Sequence, residues 1–550
     1  MEAPLSVYDD QQLRPRRERR RPLAARGEDR LGALPDDMLH LVLRRLDTRS
    51  ALATSALSRR WACLPRELPT LEFKVRDILP QRYNQYLRRR NDAANSPEKP
   101  CSVKKLEKLD LVLSRYERRG MRSLADSLGG FLHAHDANPR RRVHSVKLEI
   151  FPTHNSGNLN RLVATAVGGW GVEDLEVVVL NPGARHSAGY SFPHHCLADS
   201  SFPNGDVKLK TLKLSNCAPL AARPEANTAT ARAFSALTVL VLQDMPRTTR
   251  GRVYEAIIRA CPALEVLHLR SCGCRRRSFS VDAPDSRITE LLIELTGRTY
   301  GTIELRALPR LERLACMGAP LDLKFGCVPR LAGLNLSYDE DANSKTPEFV
   351  LFGIRTTCLL SSFLTNLTGL EDLVLRFTGP EMWITPPLDD MPPLGELKRL
   401  LVADMPSSWD ITWIRYVLEA APSLETLHIH VVADDDDAGS GGTVAGTLIH
   451  WPSSSLEFKH QRLREVVVGG FEGTPRQVHF VRFLRRECTE LRDVVLLRHG
   501  HVLEKGLWDW ETLASKQEWQ WIEEERHAVM SEIEDGTDDI ACSASRIVFG

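Results

Sequence analysis

Leu209-Lys-Thr-Leu-Lys-Leu214, Leu237-Thr-Val-Leu-Val-Leu242 and Leu264-Glu-Val-Leu-His-Leu269 are three renderings of one phrase, apolar-x-x-apolar-x-apolar. The alternation that closes the phrase is that of a β-strand with one buried face. The chain advances 28 residues between the first two copies (209 to 237) and 27 between the next two (237 to 264). One such strand cannot bury its own apolar residues. Stacked strands can, beneath a parallel sheet whose connecting segments form the other layer.

The phrase recurs along most of the chain. Upstream copies are read at Leu106/Leu109/Leu111, Val143/Val146/Leu148 and Leu175/Val178/Leu180. Downstream copies follow at Ile288/Leu291/Ile293, Leu331/Leu334/Leu336, Leu370/Leu373/Leu375 and Leu397/Leu400/Val402. The last three are Leu424/Leu427/Ile429, Leu463/Val466/Val468 and Leu491/Val494/Leu496. A step of roughly 20–29 residues is that of a leucine-rich repeat, and longer gaps read as loop insertions. Some connections repeat as well: Arg252–Glu265 matches Thr412–Glu425 at a constant offset of 160 (412 − 252). Val253/Trp413, Ile257/Val417 and Ile258/Leu418 then share one helical face. Val478–Leu491 is a third version, with Phe480, Val481 and Leu484 on that face. A doubly wound sheet would also alternate strands and helices, but it calls for a glycine-rich phosphate turn, and the sequence contains no G-x-G-x-x-G.

Ahead of the repeats lies Glu28–Phe73, which reads as three short helices. Pro35 suits a first helical position, and Asp36 and Asp37 set negative charge at the positive end of the helix dipole. Leu39, Val42, Leu43 and Leu46 follow at helical spacing, and Leu57, Trp61 and Leu64 line a third helix. About 45 residues bury too little to be strongly stable alone. Two readings follow: a packet that completes its core on another protein, or a helical subdomain docked on its own chain.

The residues of this packet resemble an F-box, in the form found in plant proteins that also carry leucine-rich repeats. The likeness rests on the Leu34-Pro35-Asp36 opening, Leu46 and the Leu57-Ser58-Arg59-Arg60-Trp61 block. Family members commonly carry a second Trp where Pro65 stands here. The resemblance implies docking onto a Skp-type adaptor, and through it a cullin, by Leu34, Pro35, Leu39, Val42, Leu43, Leu46, Leu57 and Trp61. A second resemblance covers Leu463–Leu497, where Gly470-Phe471-Glu472-Gly473 stands between a strand and a helix as in the FBD segment of such proteins.

The totals describe a globular chain: 42% hydrophobic and 26% charged residues. Its 73 basic and 72 acidic residues leave a net charge of +1, so no global field draws it to nucleic acid. The 12 cysteines are scattered, and Cys272-x-Cys274 alone is neither a zinc ribbon nor a redox pair, so reduced thiols are expected. The first residues hold no apolar stretch of the secretory kind, and no run approaches the roughly 18 apolar residues of a membrane span. The arginine-rich stretch 14–30 is read as a solvated tail, with nuclear import as the other reading. The expected compartment is the nucleus, the cytoplasm or both.

The histidine pairs His133/His135, His428/His430 and His499/His501 would share a strand face, but no third ligand accompanies any of them in sequence. Asp434–Asp437 before a Gly-Ser stretch reads as a solvated acidic loop. There is no G-x-S-x-G, H-E-x-x-H or phosphate-binding loop, so neither an active site nor a cofactor is expected. If Leu212 and Leu214 face the core, the intervening residues face the opposite side of the sheet. That register nominates Val241, His268, Arg270, Leu292, Val374, Arg376, Leu401 and His428 as a concave surface for a target protein. An apolar lane with a polar rim suits protein recognition.

The expected architecture is α/β. An arginine-rich disordered tail (1–27) and a three-helix F-box (28–73) lead through a linker (74–105) into a leucine-rich-repeat solenoid (106–462). Its parallel strands line the concave face, with helices and loops on the convex face. An FBD-like terminal repeat (463–500) and a tail with a helix over Leu513–Asp535 (501–550) complete it. The resemblance implies a non-enzymatic substrate-recognition subunit of an SCF-type cullin–RING ubiquitin ligase. The alternative is a repeat scaffold or small-ligand receptor whose F-box no longer docks.

Overall fold

A computed structural model describes residues 32–64, 68–95, 103–136, 143–152, 156–181, 190–193, 208–218, 234–275, 278–296, 301–318, 321–339, 358–365, 367–378, 384–385, 391–407, 411–432, 458–514, 521–534 and 545–550. The arginine-rich tail, Pro65, Trp519 and the acidic loop Asp434–Asp437 lie outside them. Two compact units divide the chain after Leu68.

The N-terminal unit contains helices Asp36–Leu43, Thr48–Ala53 and Arg59–Cys63, with a 3-10 turn at Thr54–Ala56. Pro35 caps the first helix from outside: its carbonyl accepts from the Met38 and Leu39 amides, each at 3.1 Å. Asp47 caps the second helix by accepting from the Ser50 amide at 2.9 Å, and the Ser58 hydroxyl caps the third through the Trp61 amide. Leu57 precedes that third helix and does not lie along it.

In the second unit the strands are β1 (Thr70–Lys74), β2 (Ser145–Ile150), β3 (Asp174–Val179), β4 (Thr211–Ser215), β5 (Val239–Gln243), β6 (Val266–Gly273), β7 (Phe279–Asp282) and β8 (Glu290–Thr296). Next come β9 (Gly301–Ala307), β10 (Arg313–Gly318), β11 (Leu321–Cys327), β12 (Gly333–Asp339), β13 (Cys358–Leu359), β14 (Asp372–Thr378) and β15 (Ile384–Thr385). The series ends with β16 (Arg399–Pro406), β17 (Thr426–Val432), β18 (Glu465–Gly469), β19 (Asp493–Leu497), β20 (Gly500–Glu504), β21 (Trp510–Ala514) and β22 (Arg546–Phe549). One parallel sheet runs β1-β2-β3-β4-β5-β6-β8-β10-β12-β14-β16-β17-β18-β19-β22. Within it Leu212, Leu240, Leu267 and Leu291 pair in register, and each is 1% exposed or less. Helices Gly251–Ala260, Ile414–Ala420 and Pro475–Glu487 form the other layer and bury Ile257 and Ile258, Val417 and Leu418, and Phe480, Val481 and Leu484. Val253 is only half-buried, with Tyr254 buried in its place, and Trp413 is buried from the 3-10 turn Ile411–Trp413. Between β6 and β12 that layer is instead a small parallel sheet, β11-β9-β7.

Several sequence expectations are corrected. Leu106/Leu109/Leu111 is not a strand, and 74–105 is not a plain linker: helices Gln81–Asn95 and Val103–Asp136 fill the interval. Buried Leu113, Met121, Leu124, Leu128 and Leu132 carry a helical period through the second of them, which overrides the short leucine phrase. The solenoid begins earlier, at β1, where Leu68-x-x-Leu71-x-Phe73 spells the same phrase, and β1 pairs with β2 across the helical insertion. The third repeat uses Val172, Leu175 and Val177; Val178 points away from the core. The region after residue 500 is more than a tail. It forms the β20–β21 hairpin, the helix Glu523–Glu534 and β22.

Several strands end alike. Two residues past the last apolar position of the phrase, the chain turns left-handed at Asn216, Asp244, Ser271, Gly318, Asp404 and Gly470. Asn, Asp and Gly tolerate that conformation best. At Gly470 nothing larger fits, since a Cβ would lie 2.0 Å from the Val431 carbonyl oxygen. This turn inserts Phe471 fully into the core and starts helix Pro475–Glu487, which the Thr474/Gln477 capping box closes.

Candidate functional site

In the N-terminal unit the eight nominated residues separate by exposure. Leu39 and Leu43 are fully buried and Trp61 is 7% exposed, so they form core. Leu34 is half-buried and Pro35 is exposed. Val42 (39%), Leu46 (41%) and Leu57 (66%) are open to solvent, joined by Met38 (48%) and Leu41 (55%), which the sequence reading left out. Five large apolar groups are thus exposed within one short segment, an amount of apolar exposure that water does not stabilise. Arg60 ties the opening of the motif to its last helix. It donates to the Gly32 carbonyl at 2.6 Å and the Leu34 carbonyl at 2.5 Å, and pairs with Asp36 at 2.6 Å. This gives the Leu-Pro-Asp and Ser-Arg-Arg-Trp blocks a common purpose: one fixes the other.

In the second unit the sheet's open face has two halves. Over β2–β6 it carries a mixed-charge pattern, with Lys147 paired to Glu176 at 2.9 Å, half-buried Val241 and exposed Arg270. His268 belongs to its margin, held by Glu290 at 2.7 Å.

The second half is covered by the β20–β21 hairpin. Val374, Leu401 and Ala403 form a buried cluster on the open face, and Val502 and Trp510 of the hairpin pack on it. The Trp508 indole N–H donates to Glu290 at 3.3 Å, and the Asn335 side chain donates to the Leu507 carbonyl at 2.8 Å. Arg376 pairs with Glu504 at 3.0 Å and Arg399 with Asp509 at 3.4 Å. The Arg313 and Arg399 guanidinium groups lie 5.7 and 4.8 Å from the Trp508 and Trp510 ring centres, within cation–π range. His428 Nδ1 sits 3.0 Å from the Thr512 hydroxyl, and burial pushes its pKa down against the opposing pull of Glu465.

The nominated target surface is corrected accordingly. Val374 and Leu401 lie under the hairpin, Arg376 and His428 are bonded to it, and Leu292 is 1% exposed. The missed signal was Leu507-Trp508-Asp509-Trp510-Glu511, an alternating aromatic and acidic run behind a Lys505-Gly506 turn. Its apolar residues read as a strand, but nothing in the sequence says which surface that strand meets.

No group of three or more potential metal ligands occurs among the described residues. His428 and His430 lie on the open face of β17, where His430 is bound to Asp404 at 2.7 Å. Cys217, Cys261, Cys272, Cys316 and Cys488 are buried thiols outside any disulfide, and burial raises each to about 12. Thiols of that kind are poor nucleophiles. Among the described residues, no helix is long and apolar enough to cross a membrane.

Comparison with known proteins agrees with this division. Residues 137–498 match the family described as "At1g61320/AtMIF1, LRR domain", and residues 31–71 match the F-box domain. Among curated proteins of Arabidopsis thaliana, F-box/FBD/LRR-repeat protein At2g04230 is 50% identical over 46 residues, 8% of this chain and 10% of that one. Putative F-box protein At1g67390 is 42% identical over 60 residues, 11% and 12% of the two chains. F-box protein At5g03100 is 29% identical over 92 residues, 17% of this chain and 26% of its own length. The matched stretches thus span a small part of each relative.

Proposed function

The chain belongs to the At1g61320/AtMIF1 leucine-rich-repeat family and carries an F-box ahead of the repeats, and from that premise we propose that it is the substrate-recognition subunit of an SCF-type cullin–RING ubiquitin ligase. The observation that carries the reading is the exposure to solvent of five large apolar side chains of the F-box, Met38, Leu41, Val42, Leu46 and Leu57. A Skp-type adaptor with an apolar groove would cover it, and the cullin would follow through the adaptor. The repeats then hold a protein target. Such a subunit makes no bond itself; it raises the local concentration of target lysines near the charged conjugating enzyme. We read residues 463–500 as the FBD-like closing repeat, and the nucleus or cytoplasm as the compartment, on the reduced buried thiols.

Capture of a purified Skp-type adaptor by the full chain tests this. Leu57→Asp with Leu46→Asp should abolish capture while the thermal unfolding of the chain stays put. Capture that survives both substitutions would sink the reading and leave the scaffold or small-ligand alternative.

A further inference from the structure

We propose that the open face of β10–β17 is a docking site for an extended acidic segment bearing a large aromatic side chain, and that the β20–β21 hairpin is its intramolecular occupant, released when such a partner binds. The inference rests on the reading of the repeats as a target-binding surface and names the chemistry that surface takes.

The hairpin shows what the surface selects. Its two indoles lie against Arg313 and Arg399, its Glu504 and Asp509 carboxylates meet Arg376 and Arg399, and its apolar Val502 fills the lane of Val374, Leu401 and Ala403. Cationic rim, apolar floor and aromatic-acidic ligand are complementary in kind.

The hairpin is also held loosely. No residue from Gly500 to Ala514 is fully buried, whereas Leu401 and Ala403 beneath it are 2% and 0% exposed. A two-stranded hairpin is marginal in water by itself, so its order depends on this contact. Its departure would leave no buried charge alone. Arg399 keeps its two-pronged pair with Asp372 at 2.7 and 3.0 Å, Arg376 keeps Asp404 at 3.4 Å, and Asn335 keeps Ser337 at 2.6 Å. Orphaned buried charge is the large cost in breaking such contacts, and here it does not arise. Elements with few buried groups open at free energies well below global unfolding.

The probe is a dye-labelled peptide with the sequence of His499–Ala514, followed by fluorescence anisotropy on the full chain. Trp508→Ala/Trp510→Ala frees the surface and should bind the peptide about tenfold or more tightly than the unmodified chain, whose own hairpin competes. Adding Arg399→Ala should weaken that binding by roughly tenfold. Equal binding by the unmodified and double-substituted chains overturns the proposal, as does binding that ignores Arg399. Should the double variant not fold, hydrogen exchange on the unmodified chain decides. Cross-strand amides of the hairpin exchanging about 100-fold faster than those of β14 and β16 support release, and equal protection overturns it. Neither readout involves an adaptor. A chain that captures the adaptor but fails here rejects this inference alone, and one that passes here without capture rejects only the ligase reading.

Discussion

At the scale of single residues, two leucines of similar sequence appeal behave oppositely. Leu43 is fully buried and Leu57 is 66% exposed. Leu43→Ala should cost about 2–5 kcal/mol, because it leaves a cavity. Leu57→Ala should change stability by less than about 0.5 kcal/mol while weakening adaptor capture. Denaturant midpoints read beside capture assays separate the two, and a stability loss at Leu57 equal to that at Leu43 would show that the exposed patch is core after all. The buried imidazoles give a second residue-scale test. Burial lowers the pKa of His428 and His460 below their ordinary 6.5, so folding favours their neutral forms. Just beneath 6.5 the unfolded chain binds more protons, so this stability is present above about 6.5 and falls as pH drops through the window below it. The urea midpoint should therefore decline from pH 7.5 to pH 5.5, and the decline should shrink in His428→Gln/His460→Gln. An undiminished slope in that variant would assign the loss to other groups.

Among the elements, the strand-end turn carries the most constraint. Gly470 adopts φ +69° with the Val431 carbonyl where a side chain would begin. Gly470→Ala should cost at least about 1–3 kcal/mol from backbone strain, with further loss if Phe471 leaves its core site. Guanidinium unfolding measures it, and a neutral effect would mean the turn can be rebuilt. Asn216, Asp244 and Asp404 perform the same turn, and the side chains of two of them bond outward, Asn216 to the Val179 carbonyl and Asp404 to His430. The same position thus sets strand length and supplies polar groups to the sheet's edge. Leucine spacing made the strands visible; the turn was hidden because four different residue types satisfy it.

For the molecule as a whole, stability is distributed along the array, since each repeat touches mainly its neighbours. The last strands are sealed by β22 on β19, by Trp521 against Phe471 and Phe549, and by Arg498 paired with Glu525 at 2.6 Å. A chain ending at residue 514 should lose exchange protection in β18 and β19 by at least about tenfold and leave β2–β6 protected. Uniform loss along the sheet would instead mean that the array unfolds as one unit.

The sequence by itself determined the ladder, because a strand with one buried face must place an apolar residue at every second position, and that period survives almost any connection. It determined the capped packet before the ladder for the same kind of local reason. Tertiary structure alone decided the rest. Leu106, Leu109 and Leu111 spell the strand phrase, and the helical period that overrides it emerges only from the buried residues Leu113 through Leu132. Whether Leu43 or Leu57 faces water depends on neighbours distant in sequence. That Trp508 and Trp510 lie on arginines more than one hundred residues away is a fact of long-range packing, which no local pattern encodes.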